Sequence, residues 1–178
     1  MDDTIFALSS GAPPAAIGII RISGSQSGAA LAALAGKLPP ARSPRVRTLR
    51  DRTGAVLDTA LVLWFPGPQT ATGEDLAEIH CHGGRAVIAA ISRSLADMDG
   101  LRAAEPGEFT RRAFANGRMD LAEAEGLADL LAAETELQRQ GALLSACGSL
   151  SQQIEEWRSR ILGLAAAVEA VIDFADED

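Results

Sequence analysis

Residues 117–124 read GRMDLAEA and mark the point where the folding pattern of the chain changes. Gly117 is suited to end a helix in the left-handed conformation, and Asp120 with Glu123 forms a D-x-x-E start that resembles a capping box. Before this stretch, short apolar runs are mixed with helical patterns, whereas after it the pattern is purely helical. The sequence therefore predicts an α+β domain over residues 1–118 and a helical region over residues 119–178.

The first part of the chain predicts a layered α+β domain, because its short apolar runs and helical segments are separated by turn residues. Ser25 is the expected cap of the first helix, and Pro106 stands at the start of the third. The predicted strands lie near residues 4–8, 16–22, 45–49, 56–65 and 75–81. The predicted helices lie near residues 26–36, 84–98 and 107–116.

The helical part predicts one helix over residues 120–133 and a second, much longer one over 136–173. Thr135 and Gln138 give the second helix a T-x-x-Q start, although Gly141 and Gly148 lie inside it. Apolar residues recur at spacings of three and four, which predicts lengthwise packing on partner helices. Only one partner helix is adjacent in sequence, so part of this apolar stripe, the seam, would be left uncovered. We therefore expect either that the seam packs against another chain or that the chain is truncated. The seam consists of Leu143, Cys147, Leu150, Ile154, Trp157, Ile161, Leu164, Val168 and Val171.

Composition and charge exclude several classes of protein. The net charge is -8, with no Tyr and 4% aromatic residues, which argues against nucleic-acid binding by this chain alone. Cys81 and Cys147 are far apart and predict neither a disulfide framework nor a structural zinc site. The start of the sequence lacks a basic region followed by an apolar run, and no stretch is apolar for long enough to span a membrane, so neither a signal peptide nor a membrane span is expected. No GxxxxGK[ST] loop occurs in these residues. A cytoplasmic protein is expected.

Residues 73–84, GEDLAEIHCHGG, contain both histidines of the chain. In a strand, Glu78, His80 and His82 would share one face, while Ile79 and Cys81 would share the other. This set resembles metal ligands, but no further histidine exists and Cys81 points away. A second interpretation is ligand binding at the bare backbone of Gly83-Gly84, and a third is a solvated strand end.

Three charged residues occupy positions where a charged side chain is unexpected: two interrupt apolar strands, and one lies at the junction of the two parts of the chain. Glu78 interrupts an apolar strand, so its carboxylate needs donors, either an internal arginine or a planar N–C–N edge such as that of a pterin. Arg21 interrupts the apolar run AIGIIRIS, either reaching water from an edge strand or holding an anionic ligand. Arg118 stands at the junction of the two parts, as a ligand contact or an exposed charge. The run RSPRVRTLRDR at 42–52 is either a phosphate-contacting patch or a solvated strand face.

Ordered motifs along the whole chain resemble the tRNA-modification GTPases known as MnmE or TrmE. Arg118 replaces the lysine often found in the NGK(L/M)DL motif of that family, which keeps the charge but alters the contact geometry. The motifs are DTI at 3–5, GIIRISG at 18–24, TGEDxxE with HGG at 72–84, EPGEFTRRAFxNGRMDLxxAEGLADLL at 105–131, and IDF with an acidic end at 172–178.

The resemblance implies a mixed α/β folate-binding domain similar to those of aminomethyltransferases, followed by long antiparallel helices of a helical domain. It implies a homodimer through residues 1–118 and binding of 5-formyl-tetrahydrofolate or a related tetrahydrofolate. The folate contacts fall on Arg21, Glu78 and Arg118, with His82, Gly83 and Gly84 as possible support. No metal site and no catalytic residue are expected in this chain.

The resemblance also implies that the chain stops where a GTPase domain begins, so GTP, K+ and Mg2+ belong to that missing domain. The expected activity of the longer protein is carboxymethylaminomethyl-type modification of the wobble uridine of certain tRNAs. It would act with an FAD-dependent partner subunit of the MnmG/GidA type. Two other functions remain possible from sequence, an assembly scaffold without a ligand and a metalloenzyme built on His80 and His82.

Overall fold

A computed structural model describes residues 3–173, which divide into two compact units after Arg118. Of the acidic end at 172–178, residues 174–178 lie outside the described part of the chain. The first unit mixes strands and helices and the second is helical, so the predicted fold class, α+β followed by antiparallel helices, is confirmed. No helix in the described residues is long and apolar enough to cross a membrane.

The first unit is built on a six-stranded sheet with the order β3-β4-β5-β2-β1-β6. All neighbouring strands are antiparallel except β1 and β6, which are parallel. The strands are β1 (Thr4–Leu8), β2 (Ile17–Ser23), β3 (Arg45–Arg50), β4 (Val56–Phe65), β5 (Leu76–His82) and β6 (Leu101–Ala103). The helices are α1 (Ser27–Ala35), α2 (Arg85–Ala96) and α3 (Glu108–Ala115).

The core of this unit lies between one face of the sheet and helices α1 and α2. Ile20, Ile79 and Val62 on the sheet are fully buried against helix residues such as Leu31 and Ile91. Because side chains alternate along a strand, the neighbours of these residues point to the other face. That second face carries the polar residues discussed below, and Phe109 of α3 reaches it beside Arg21.

Two details of the first unit differ from the predictions. Strand β6 was not predicted, because its three residues are too few to show alternation and it is held only by pairing with β1. Helix α1 begins after Gln26 and not after a Ser25 cap. The amide N–H of Gln26 donates to Thr4 Oγ1 of β1 at 3.0 Å. A residue of the neighbouring strand thus accepts a hydrogen bond from the backbone at the start of α1, as a capping side chain would.

The second unit contains α4 (Leu121–Ala132), α5 (Glu136–Ala146) and α6 (Ser149–Asp173). Both predicted capping boxes are present, at Asp120 with Glu123 and at Thr135 with Gln138. Helices α4 and α5 form a close antiparallel hairpin, since a Cβ built on Gly126 would lie 2.5 Å from the backbone N of Ala146.

The prediction of one long helix over residues 136–173 is wrong. Helix α5 ends at Ala146, and Gly148 has a φ of 76°, a left-handed conformation that interrupts the helix. The sequence pattern did not reveal this break because the apolar spacing continues through it. No residue of α6 is buried, so its part of the seam, including Trp157 and Ile161, is exposed among the described residues.

Candidate functional site

The register of the sheet brings Arg21 and Glu78 together on the face opposite α1 and α2. Arg21 of β2 stands directly across from Glu78 of β5, and Glu78 in turn stands across from Leu63 of β4. Cross-strand partners lie close enough for their side chains to interact. Ile79 and Cys81, which alternate with these polar residues, are buried in the core on the other face. The predicted alternation of Glu78 and His80 against Ile79 and Cys81 is confirmed.

Glu78 is held by donors on both of its oxygens. Arg21 Nη2 and Nε donate to Glu78 Oε1 at 3.0 and 3.2 Å, and His80 Nε2 lies 3.1 Å from Oε2. Because an ionised carboxylate only accepts hydrogen bonds, His80 carries its hydrogen on Nε2. Burial alone would raise the pKa of the Glu78 carboxyl, but the bonds from His80 and Arg21 outweigh it and lower that pKa. The carboxylate is therefore ionised, oriented and partly buried.

Glu78 forms one wall of a cavity of about 230 Å³. The loop after β4 supplies much of the lining, and Arg42 lies over the Phe65 ring, 5.9 Å from its centroid. Arg42 Nη2 also donates to the carbonyl oxygen of Gln69. The lining residues are Arg42, Phe65, Gln69, Thr70, Ala71, Leu76 and Glu78. The cavity thus combines a carboxylate, a guanidinium and apolar surface.

Arg118 reaches the lining loop from the end of α3. Its Nε donates to the carbonyl oxygen of Thr70 at 3.1 Å, and Asn116 Nδ2 donates to the carbonyl oxygen of Thr72 at 2.7 Å. Gly73 has a φ of 78°, and a Cβ there would lie 2.8 Å from Asn116 Cβ. The glycine of the TGED motif therefore permits the close packing that places Arg118 behind Thr70.

The far end of β5 carries His82, Gly83 and Gly84. His82 and Gly83 have their hydrogen-bond partners within the chain. The amide N–H of His82 donates to Asp58 Oδ2, and His82 Nδ1 is 2.8 Å from Asp58 Oδ1. The amide of Gly83 donates to the carbonyl oxygen of Ala16, and a Cβ on Gly83 would lie 2.4 Å from the carbonyl oxygen of Ala15. Close backbone packing accounts for Gly83, while Gly84 precedes α2.

The two histidines have different partners, Glu78 for His80 and Asp58 for His82. Within residues 3–173, no three His, Cys, Asp or Glu side chains are grouped so that they could hold a metal ion. What the site offers chemically is recognition, because a fixed carboxylate and nearby guanidinium groups can bind complementary polar edges.

A buried ion cluster supports the site from behind. Arg112 of α3 is 1% exposed and contacts Asp3 Oδ1 at 2.9 Å, Glu74 Oε2 at 3.2 Å and Glu108 Oε1 at 3.2 Å. Arg102 binds the same Glu108, and its hydrogen bond, together with that of Arg112, outweighs burial and lowers the pKa of Glu108 to about 2. The cluster ties α3 to Asp3, which precedes β1, and to Glu74 of the TGED motif.

Several of these residues carry no signal of a binding site in the sequence. His80 was considered only as a metal ligand, and Phe65, Thr70 and the buried Arg112 were not singled out. Arg42 belonged to the basic run at 42–52, which signalled charge without indicating that this arginine lies over a ring beside Glu78. These roles depend on strand order, helix packing and loop conformation, which residue spacing does not encode.

Comparisons with known proteins agree along the whole chain. Residues 4–118 match the family model of the GTP-binding protein TrmE N-terminus, and residues 121–178 match that of the MnmE helical domain. The tRNA modification GTPase MnmE of Erythrobacter litoralis is 69% identical over 99% of this chain and 42% of its own length. That of Novosphingobium aromaticivorans is 65% identical over 100% of this chain and 41% of its own.

The chain spans about two fifths of the length of these curated relatives. A relative of the same name from Sinorhizobium medicae is 56% identical over 99% of this chain and 40% of its own length. Two consecutive family matches and relatives of this similarity show that the chain belongs to the MnmE (TrmE) family.

Proposed function

We propose that the first unit binds a tetrahydrofolate, in the form of 5-formyl-tetrahydrofolate, at the cavity beside Glu78. The observation that carries the proposal is a partly buried carboxylate, kept ionised and oriented by Arg21 and His80, in the wall of a cavity. A pterin presents two N–H groups side by side, and this planar edge matches the two oxygens of a carboxylate. Arg21, Glu78 and Arg118 are the proposed folate contacts, and His82, Gly83 and Gly84 would support the strand end.

Binding of the pterin edge requires a defined change at Glu78. Arg21 uses both acceptor positions of Oε1, and His80 uses one of the two on Oε2. One pterin N–H can therefore bind the remaining position on Oε2, while the second displaces one of the two Arg21 bonds from Oε1. The released N–H of Arg21 would then face the ligand, and Arg118 would act from the Thr70 side of the cavity.

The size of the cavity supports a site shared between two subunits. Sites for small molecules commonly measure about 300–1,000 Å³, more than the 230 Å³ enclosed here. The same sheet face carries apolar residues in register, among them the exposed Val46 and the partly exposed Leu61 and Ile19. We therefore propose a homodimer through this face, in which the second copy completes the folate site.

The remaining parts of the proposal concern the longer protein. Residues 1–118 would be the folate-binding and dimerisation domain, and 119–178 the first part of a helical domain whose remainder covers α6. Because the relatives are named tRNA modification GTPases, we propose that the whole protein is a cytoplasmic GTP hydrolase. It would use K+ and Mg2+ in its GTPase domain and modify the wobble uridine of tRNA with an FAD-dependent subunit of the MnmG/GidA type.

Calorimetric titration of 5-formyl-tetrahydrofolate into the 178-residue chain tests the folate site. Glu78→Gln keeps the shape of the side chain but removes the charge and one acceptor oxygen, so we expect binding weaker by about 10-fold to 100-fold. Glu105→Gln is the matched control, because Glu105 is 66% exposed and pairs only with Arg111, and it should change affinity by less than about twofold.

Equal affinity in Glu78→Gln and the wild type would refute the role of this carboxylate. A folded dimer that binds no folate would favour the second candidate function, an assembly scaffold. The observation that favours a scaffold is the exposed apolar seam of α6, where Trp157 is 53% exposed.

A further inference from the structure

Four arginines of β3 and the turn after it lie at the outer edge of the sheet, and Arg93 of α2 lines the same groove as two of them. Strand β3 ends the sheet order, with β4 on one side and no described strand on the other. Arg45 and Arg47 stand across from Val62 and Ala60, which are core residues, so both arginines project from the face that carries α1 and α2. We call the set the arginine edge, and it consists of Arg45, Arg47, Arg50, Arg52 and Arg93.

The arginine edge is not neutralised by neighbouring carboxylates. None of its members forms a salt bridge within residues 3–173, whereas Arg21, Arg102 and Arg112 of the same unit are all paired. Arg45, Arg47 and Arg50 donate only to nearby backbone carbonyls. Free guanidinium groups of this kind are available to bind an external anion.

The acidic residues near the arginine edge are Asp51, Asp97 and Asp58, which stands across from Leu49 of β3 and is already paired with His82. Asp51 Oδ1 already accepts hydrogen bonds from the amides of Thr53 and Ala55 and from the Thr53 hydroxyl, so its charge is used inside the β3–β4 turn. Asp97 is exposed at the end of α2. Five arginines against these three carboxylates leave the edge positively charged.

A groove at the end of β3 gives the arginine edge a concave part. It encloses about 480 Å³ between α1, α2 and the β3–β4 turn, with Arg50, Arg52 and Arg93 on its walls and Leu34, Leu57 and Met98 among its apolar lining. No aromatic side chain of the described part of the chain lines this groove, so these residues provide no platform on which bases stack. Its chemistry suits phosphate groups and not bases.

We propose that the arginine edge binds the phosphodiester backbone of RNA, which runs along β3 and enters the groove at the β3–β4 turn. At about 3.3 Å per residue the six residues of β3 span about 17 Å, enough for contact with several phosphates. Guanidinium groups bind phosphates through paired N–H donors, and backbone contacts of this type do not depend on base sequence. The choice of RNA as the anion rests on the proposed role in tRNA modification.

The overall charge of -8 does not oppose this interaction, because the acidic residues are concentrated elsewhere in the chain. Residues 1–118 carry 13 basic and 11 acidic side chains, whereas residues 119–178 carry three basic and 13 acidic ones. A structural role also exists for the arginines, since charged side chains protect an exposed edge strand from pairing with another chain. If protection of the edge were the only role of these arginines, replacing them would cause no specific loss of RNA binding.

Fluorescence anisotropy with a labelled, unmodified tRNA transcript at 50 mM and 200 mM salt tests the proposal on the 178-residue chain. The variant R45Q/R47Q/R50Q/R52Q should bind at least about tenfold more weakly at 50 mM salt. The slope of log K against log salt should become shallower by about three to four, one for each lost phosphate contact. The control R85Q/R139Q/R158Q/R160Q removes the same charge from other surfaces, and its affinity should change by less than about twofold.

Three results would overturn the proposal: no binding by the wild type at 50 mM salt, equal weakening in both quadruple variants, or displacement of the tRNA by a mononucleotide at the same phosphate concentration. The last result would identify a site for a small organic phosphate. If the quadruple variant does not fold by circular dichroism, R52Q/R93Q provides the same test with an expected weakening of about threefold to tenfold.

Titrating the same variants with 5-formyl-tetrahydrofolate separates this inference from the proposed function. Arginine-edge variants should bind folate as the wild type does, because Glu78 lies on the other face of the sheet. If RNA binding does not depend on the arginines while folate binding is intact, only the RNA surface is refuted. Absence of folate binding with arginine-dependent RNA binding refutes only the folate site.

Discussion

Arg112 shows how a single buried charge is tolerated when several acceptors surround it. Its side chain is 1% exposed, and its two terminal nitrogens contact Asp3, Glu74 and Glu108. Removing a charge costs much free energy when it leaves buried partners uncompensated, whereas an exposed pair contributes little. Arg112 is a positioning residue for the cavity, because it holds the side chain of Glu74, and the carbonyl oxygen of Glu74 accepts a hydrogen bond from Thr70 in the cavity wall.

We expect Arg112→Gln to lower the free energy of unfolding by about 3 kcal/mol, because Glu74 and Asp3 lose their guanidinium partner. Arg111→Gln is the matched control on the same helix, since Arg111 is 55% exposed, and it should cost less than about 1 kcal/mol. Urea unfolding followed by tryptophan fluorescence measures both. Equal losses in the two variants would show that the buried cluster does not stabilise the first unit.

Acid should destabilise the first unit through Glu108. Its pKa is lowered to about 2 in the folded protein, mainly by the Arg102 hydrogen bond, against an ordinary value of 4.5. This stabilisation is complete above the unfolded pKa and is lost as the pH falls from about 5 towards 2. We therefore expect the urea midpoint to fall in that window for the wild type and to fall less steeply in Glu108→Gln.

The control for the acid experiment is Glu105→Gln, which removes a nearby but exposed carboxylate. Its urea midpoint should follow the wild-type pH dependence. If Glu108→Gln and the wild type showed the same slope between pH 5 and 2, the ion cluster around Arg112 would not be the source of the acid sensitivity.

At the level of single residues, the sequence indicated which charges needed partners but not which partners they have. Glu78 was expected to need donors, and both an internal arginine and a ligand were considered; the structure pairs it with Arg21 and His80. The cross-strand register that joins Arg21 to Glu78 depends on how β2 and β5 align. That alignment is set by long-range packing, so neither strand alone reveals it.

The break between α5 and α6 shows the limit of periodicity at the level of an element. Apolar spacing of three and four continues from Leu143 through Leu150, because both helices present apolar residues at similar intervals. Gly141 and Gly148 look alike in the sequence, yet only Gly148 adopts a positive φ, 76°. The difference arises from the chain direction that α5 and α6 require, which hydrophobic pattern does not encode.

The two glycines should respond oppositely to alanine. Gly148→Ala forces a side chain into a left-handed conformation and should destabilise the second unit by about 1 kcal/mol. Gly141→Ala adds a methyl group within α5, where a Cβ meets nothing within 4 Å, and should stabilise it by about 0.5–1 kcal/mol. Thermal unfolding followed by circular dichroism at 222 nm compares them, and stabilisation by both substitutions would contradict the helix break at Gly148.

For the whole molecule, the division into a mixed unit and a helical unit could be predicted because it rests on local signals. Gly117 and the Asp120–Glu123 capping box mark the change, and both are present in the structure. The open second face of the sheet could not be predicted in the same way. Leu61 and Ile19 become neighbours across His80 only when the strand order β4-β5-β2 is known.

Association of the whole chain should depend on this sheet face if the homodimer forms as proposed. The monomer mass is 18.5 kDa, so sedimentation of the wild type should give about twice that mass. Leu61→Glu places a charge among partly exposed apolar residues on the face and should shift the chain to monomer, since an unpaired charge is costly in an interface. Leu131→Glu alters an 82% exposed apolar residue of α4 and should leave the dimer intact. Dissociation by Leu131→Glu but not by Leu61→Glu would place the interface on the helical unit and refute a dimer through the sheet.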